Sequence, residues 1–401
     1  MKYILLMASL LSLVLADIYV SGDARVRPRM VIEDVPSVTK ESDLYFMYRA
    51  RINIKADIGK EYFINLKLGT NDASSMSKMG EDGVFTSSSS DGIKNSARPE
   101  VHFLELYFGF QKEHSGLSAG AFPLKYSPAL DIHFYHENKM VDIPWASYNN
   151  NTITGFSGYR KFMQYKLKWF LSVDKNNINS DETVREPYTE GPNDSLIFPG
   201  NLITELKDTY TLGFNTSIDV GPISISPRLL YTLADESENA PMTLGGDIKL
   251  PDIVGFGSSI SYYMSSNSNE GGENDIKKYE ANHIRLKLDG KVGPGNLSFF
   301  YDMASKTLIG NDRWDQGEEF TDSNNNSQWD QGEEFTDDGD TQMDFNYLWL
   351  SYEYTIHKSE MGSLTLKPTL RMQNGGYDSG NVFVKDYSKT KIELTTEFKF
   401  N

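Results

Sequence analysis

The chain has 401 residues, no cysteine and a formal net charge of −17. That acidity argues against a nucleic-acid partner, which rewards basic surfaces, and without cysteine no disulfide can staple the fold. Apolar residues are only 39% of the chain, yet it carries 23 Tyr and 22 Phe, a balance suited to a barrel that surrounds water and anchors itself with aromatic rings rather than packing one large core.

Residues 1–16 read as a signal peptide. Lys2 gives a positive start, Tyr3 to Leu15 an apolar stretch, and Val14-Leu15-Ala16 a cleavage site, so the mature chain, 17–401, begins near Asp17. No later segment approaches the length of apolar sequence that a spanning helix needs.

From Ile18 to Ile32 the even positions are mostly apolar (Ile18, Val20, Val26, Met30), and the odd ones include Arg25, Arg27 and Arg29. A strand sends successive side chains to opposite faces, so this pattern predicts one apolar and one basic face. The stretch from Leu44 to Ala56 repeats it, with Arg49, Arg51 and Lys55 on the odd face, and Tyr62 to Leu68 continues it with Lys67. The same period recurs around Tyr165–Leu171, Tyr210–Ile218, Ile284–Leu288, Leu364–Met372 and Ile392–Phe400.

Tight turns are expected near Ile58-Gly59, His114–Gly116, Lys161–Met163, Gly221, Pro251–Gly255, Gly293–Gly295 and His357–Gly362. They alternate with long polar joins near Glu33–Ser42, Thr70–Glu100, Ser127–Asn151, Asp174–Lys207, Asp235–Pro241, Asn267–Lys278, Ser305–Met343 and Asn374–Lys389. Regular alternation of short and long joins over about sixteen strands predicts an all-β, antiparallel transmembrane barrel with short periplasmic turns and long extracellular loops.

The loop 306–343 contains a repeat, Trp314-Asp315-Gln316-Gly317-Glu318-Glu319-Phe320 followed by Trp329-Asp330-Gln331-Gly332-Glu333-Glu334-Phe335. Asp322, Asn324, Asn326, Gln328 (through its carbonyl), Asp330 and Glu333 stand at positions 1, 3, 5, 7, 9 and 12 of a calcium loop, whose hard cation wants six to eight oxygens. Ser327 replaces the usual turn glycine, and no flanking helices are evident. The segment therefore resembles a dockerin-type or EF-hand-like calcium loop without helices, and Ca2+ is its expected structural ion.

The opening Ser21-Gly22-Asp23-Ala24-Arg25-Val26-Arg27, with Tyr48-Arg49-Ala50-Arg51, is similar to the first hairpin of outer-membrane porins, the broad group of general and anion-selective porins. Thr395-Thr396-Glu397-Phe398-Lys399-Phe400 looks like the terminal strand that barrel-assembly machinery reads, although Asn401 follows the aromatic. The resemblance implies a bacterial outer-membrane pore for passive diffusion of small hydrophilic solutes, commonly a homotrimer. It also implies that the loop 127–151, with His133, His136, Glu137 and Lys139, occupies the place of an inward-folding constriction loop.

If one face of each strand meets lipid, the other lines water, because a charge at the bilayer midplane costs roughly 2–4 kcal/mol. The expected pore-lining bases are Arg25, Arg27, Arg29, Arg49, Arg51, Lys55, Lys67, Lys125, Lys166, Lys168, Arg228, Arg285, Lys287, Lys367 and Arg371. Inward acids are fewer: Asp23, Glu105, Asp289, Asp302, Glu353, Glu393 and Glu397. Such a wall favours anions. The acids of the outer joins would face anionic lipopolysaccharide, bridged by divalent ions. His102 falls on the lipid-facing parity by simple alternation. A channel selective for carboxylates, phosphate or sugars fits the same residues, and so does a plugged barrel with an adhesive or structural envelope role. No arrangement of nucleophile, base and orienting group suggests an enzyme.

Overall fold

The computed structural model describes residues 17–34, 41–59, 61–70, 76–79, 84–85, 97–98, 100–125, 149–175, 188–189, 196–197, 209–234, 240–267, 278–309, 341–379 and 382–401. The expected signal peptide, residues 127–148 of the loop 127–151, and residues 310–340, with all six expected calcium ligands, lie outside them.

Sixteen strands form one antiparallel sheet. They are β1 (Asp17–Asp34), β2 (Glu41–Asp57), β3 (Tyr62–Thr70), β4 (Val101–Gln111), β5 (Ser115–Lys125), β6 (Asn149–Phe162), β7 (Tyr165–Lys175) and β8 (Thr209–Asn215, resumed at Ile218–Val220). β9 (Ile223–Leu233), β10 (Met242–Ile253), β11 (Phe256–Asn267), β12 (Tyr279–Val292), β13 (Gly295–Leu308), β14 (Thr341–Ser359), β15 (Gly362–Ser379) and β16 (Val382–Phe400) complete it. The two-residue segment Ser77–Lys78 lies beside β2, and no helix occurs among the described residues.

Each strand pairs with its neighbours in sequence, and β16 returns to pair with β1, so the sheet closes on itself. Closure removes both edges, whose unpaired N–H and C=O groups a bilayer could not satisfy. At the seam Gly22 faces Phe400, and a Cβ on Gly22 would stand 2.5 Å from the ring. Only glycine lets the terminal aromatic lie against the first strand there.

All seven expected tight turns are present at one rim. The turn after β10 uses Val254 (φ 53°) and Gly255 (φ 82°), two consecutive left-handed residues of the kind a type I′ hairpin needs. The long joins all leave from the other rim. One expected long join is corrected: Asn374–Lys389 is almost entirely strand, with Tyr377 paired to Val384 and Ser379 to Val382. Similarly, the pairing of Ser305–Leu308 with Thr341–Asp344 narrows the join expected at Ser305–Met343. Beyond the bilayer both faces of a strand meet water, so apolar alternation stops while the ladder goes on.

The outer face carries the apolar parity. Ile18, Val26, Leu44, Phe46, Ile52, Leu244, Ile260, Leu286, Leu350, Ile392 and Phe398 are all exposed, and none of Leu66, Leu286 and Leu366 is buried. Tyr62, Phe162, Tyr165, Tyr354 and Phe400 ring the tight-turn rim, while Tyr231 and Tyr262 lie toward the other. An apolar band flanked by aromatics is the surface that a bilayer demands of a barrel. The buried residues on the opposite parity are mainly polar or charged, including Asp23, Arg49, Glu105, Arg285, Asp302, Arg371 and Glu393.

Several strand pairs carry register shifts, and the one between β3 and β4 bears on a sequence expectation. Lys67 pairs with Glu105 but Leu68 pairs with Phe103, so Leu104 is an extra residue, a β-bulge. Phe103 is 71% exposed on the outer face, and His102 pairs with Gly69 on the inner parity. The expectation that His102 faces lipid is thereby corrected, because a bulge shifts the parity of every residue before it.

Candidate functional site: the inner wall

The inner wall is richest in charge where β15, β16, β1, β2 and β3 lie side by side. Asp23 on β1 stands 3.2 Å from Arg49 Nη2, 2.6 Å from Arg51 Nη2 and 3.7 Å from Arg25 Nε. Arg25 also donates through Nε to Glu397 on β16 at 2.6 Å. Two residues along each strand, Arg27 donates to Thr395 Oγ1 at 2.8 Å and lies 3.6 Å from Glu393. Arg29 binds the same Glu393 carboxylate, and Arg371 reaches its other oxygen at 2.9 Å.

This packing follows from register. β1 residues of odd number sit opposite odd-numbered residues of both β2 and β16, so Asp23 meets Arg51 and Lys399, Arg25 meets Arg49 and Glu397, and Arg29 meets Glu393. Arg25 faces Arg49 across the ladder, a like-charge pair that Asp23 and Glu397 moderate. Six arginines (Arg25, Arg27, Arg29, Arg49, Arg51 and Arg371) thus share three carboxylates, Asp23, Glu393 and Glu397. Among the described residues these guanidiniums outnumber the carboxylates cited, which favours a positive field in this sector.

The remaining expected bases divide into paired and open. Lys67 on β3 binds Glu105, which also accepts from Asn65 Nδ2 at 3.4 Å. Lys55 pairs with Asp57 at 2.9 Å, Lys287 with Asp289 at 2.6 Å and Lys367 with Glu353 at 3.8 Å, all in half-exposed positions. Arg228 meets Asp247 at 2.5 Å. Lys166 and Lys168 face no carboxylate among the described residues; Lys166 Nζ sits 3.7 Å from the centroid of the Tyr159 ring. The Lys125 backbone belongs to β5, and its side chain lies outside the described residues.

A second cluster, spread over β10 to β15, was only half visible in sequence. Arg285 grips Asp302 through Nε and Nη2, both at 2.6 Å, in a side-on bidentate pair. His283 Nε2 approaches the same carboxylate at 3.2 Å, and both His283 and Asp302 are 0% exposed. Asp247 accepts from Ser261 at 2.7 Å and Tyr263 at 3.0 Å. Aromatic rings brace the bases: Arg285 lies 4.1 Å from the Phe300 centroid and Arg371 4.0 Å from that of Trp349, and the two rings are 5.1 Å apart. Sequence reasoning missed Asp247, His283, Phe300 and Trp349. Parity places His283 two residues before Arg285 and would have found it; the aromatic braces gave no signal, since a ring suits either face.

Away from the arginines the inner wall carries an apolar patch. Phe122, Ile153, Phe170 and Leu230, from β5, β6, β7 and β9, form one buried cluster, with Tyr107 and Leu124 against it. Phe63, Tyr107 and Phe122 run on edge to face, with centroids 5.9 and 6.3 Å apart.

Closed antiparallel connectivity, an apolar exterior and a charged interior are now all in place, and comparison with solved structures decides the fold. The chain is similar to the anion-selective porin from Comamonas acidovorans (TM-score 0.50, 13% identity, covering 96% of this chain and 100% of that one). It is similar also to the outer membrane channel DcaP of Acinetobacter baumannii (0.51, 13% identity, 96% and 97%) and to OmpT, an outer membrane protein of Vibrio cholerae in a trimer form (0.51, 8% identity, 96% and 99%). The fold is that of outer-membrane porin barrels. No protein-family model matches the sequence, and no curated protein matches it. At such identities the likeness carries the porin-barrel architecture alone, and the function has to come from the wall itself.

Proposed function

We propose that this chain is a channel of the bacterial outer membrane through which small hydrophilic solutes diffuse, with a preference for anions. The observation that carries this reading is the sharing of three inward carboxylates by six inward arginines, which leaves one side of the lumen positive. Low-dielectric walls focus the field of such groups on the water between them. The acids are tied to guanidinium and ammonium groups, an arrangement suited to setting a field rather than to proton transfer, and the chain is read as a channel rather than an enzyme. In a planar bilayer under a salt gradient, the refolded protein is expected to give conductance steps and a reversal potential on the anion side. A cation-side potential overturns the preference.

A second reading has its own support. His283, Asp302, Tyr347 and Gln373 face inward with no solvent exposure at all, as expected of a barrel whose lumen is partly filled. Absence of conductance steps from correctly folded protein would favour that plugged, structural role.

Several features complete the proposal. Residues 1–16 direct export, and the C-terminal strand, with Phe400 against Gly22, is the segment offered to the assembly machinery. The barrel assembles as a homotrimer, and the loop 127–151 narrows the lumen. The acidic loop 306–343 holds Ca2+ through Asp322, Asn324, Asn326, Gln328, Asp330 and Glu333, facing lipopolysaccharide. Calcium titration of the refolded full chain by calorimetry tests the last point; no heat beyond dilution sinks it.

A further inference from the structure

The inner wall near the tight-turn rim contains an arrangement that electrostatics alone disfavours. Lys161 on β6 and Lys166 on β7 are directly opposite in the ladder, and Lys168 stands one inward position further along. Like charges directly opposite each other destabilise a sheet. Among the described residues, no carboxylate pairs with any of the three. Arg228, Arg285 and the arginines of β1 and β2 have acids beside them, whereas none stands here among the described residues.

Two of these lysines, Lys166 and Lys168, border a cavity of about 360 Å3 whose lining also includes Phe63, Ser118, Tyr159 and Phe170. Its upper side is the apolar cluster of Phe122 and Phe170, and Tyr159 is held with its hydroxyl on the Lys112 carbonyl. The volume lies within the range of small-molecule sites, which combine mostly apolar walls with a few placed polar groups. A charged rim with no carboxylate on it among the described residues, next to aromatic rings, is complementary to a solute that joins an anionic group to an apolar body.

We propose that this cavity is a binding site, on the periplasmic side of the lumen, for organic anions that carry an aromatic or bulky aliphatic body: the carboxylate meets Lys166 and Lys168, and the body lies against Phe63, Tyr159 and Phe170. The site deepens the anion-channel reading and rests on it, but it uses residues distinct from the arginine wall, so the two fail separately.

The test is single-channel recording with 2-naphthoate, acetate or the cation 2-naphthylmethylammonium added on the side of the tight turns. Transient current interruptions are expected with naphthoate alone. In the double variant Lys166→Gln/Lys168→Gln their dwell time should fall about tenfold, the loss of a charge-assisted contact. Phe170→Ala should shorten naphthoate dwell also. Equal interruption by acetate, equal interruption by the aromatic cation, or undiminished dwell in the lysine variant overturns the site. If the parent channel proves cation-selective, the anion reading itself has failed, and the reversal potential shows that independently of any interruption.

Discussion

Glu393 is the residue on which the arginine wall turns. It is 3% exposed and meets Arg27, Arg29 and Arg371 at once. Removing one partner of a buried ion pair strands the others, typically at a cost of roughly 3–5 kcal/mol. Glu393→Gln keeps the shape and one acceptor oxygen but deletes the charge that three guanidiniums share. Two consequences of opposite sense are expected from this variant. Stability in urea should drop by a few kcal/mol, as bases crowd each other without their acid. The chloride-over-potassium ratio should rise, because the same deletion makes the lumen more positive. Arg371→Gln, which takes the cation off the Trp349 ring, should lower that ratio instead. If the two variants leave the reversal potential where it was, permeating ions do not sense this wall.

Strands were legible in the sequence wherever lipid lay on one side and water on the other. Ile392, Leu394 and Phe398 against Glu393, Thr395 and Glu397 read correctly as the last strand because the bilayer makes each parity chemically distinct. The signal fades where that contrast ends. A strand spanning the apolar band needs about 9–11 residues, yet β16 runs for 19 and β15 for 18. Just beyond Met372 and Ile392 the outer parity turns polar, with Asn374, Thr390 and Ser388, so Asn374–Lys389 looked like loop. Bulges are hidden for another reason: Leu104 is as apolar as a lipid-facing residue, and nothing local distinguishes an inserted residue from a regular one. Lys166 and Lys168 were readable as bases on the parity of Phe170, whereas the cavity beside Lys166 depended on which rings β4 to β7 bring together. The bulge yields a prediction at this scale. As the chain has no cysteine, His102→Cys and Phe103→Cys can each be probed with a membrane-impermeant, water-soluble thiol reagent in lipid vesicles. His102→Cys should be modified rapidly and Phe103→Cys slowly. The reverse order would mean that β4 keeps simple alternation and pairs with β3 in another register.

At the scale of the whole barrel, charge is sorted by location. The net charge of −17 belongs to a molecule whose inner wall holds a surplus of arginine, since its acids gather in the long joins. On the channel reading proposed above, a permeating ion meets two fields of opposite sign, one from the acids of the joins and one from the wall. Salt separates them. The Debye length is about 10 Å at 0.1 M and about 3 Å at 1 M, so fixed charges exposed to bulk solvent lose their reach first. Bases on the half-buried wall, such as Arg27 and Arg51, act on water confined between low-dielectric surfaces and are screened less. If the wall sets selectivity, the chloride-over-potassium ratio should stay above one at every concentration. It should also rise between about 0.01 and 0.1 M, as screening first removes the opposing effect of the acidic joins, and then decline toward the ratio of free-ion mobilities near 1 M. A ratio that falls monotonically from its value at the lowest salt would mean that the acids of the joins do not reach the pore entrance. A ratio independent of salt would mean that size rather than charge selects the solute, and the arginine wall would then be a structural brace alone.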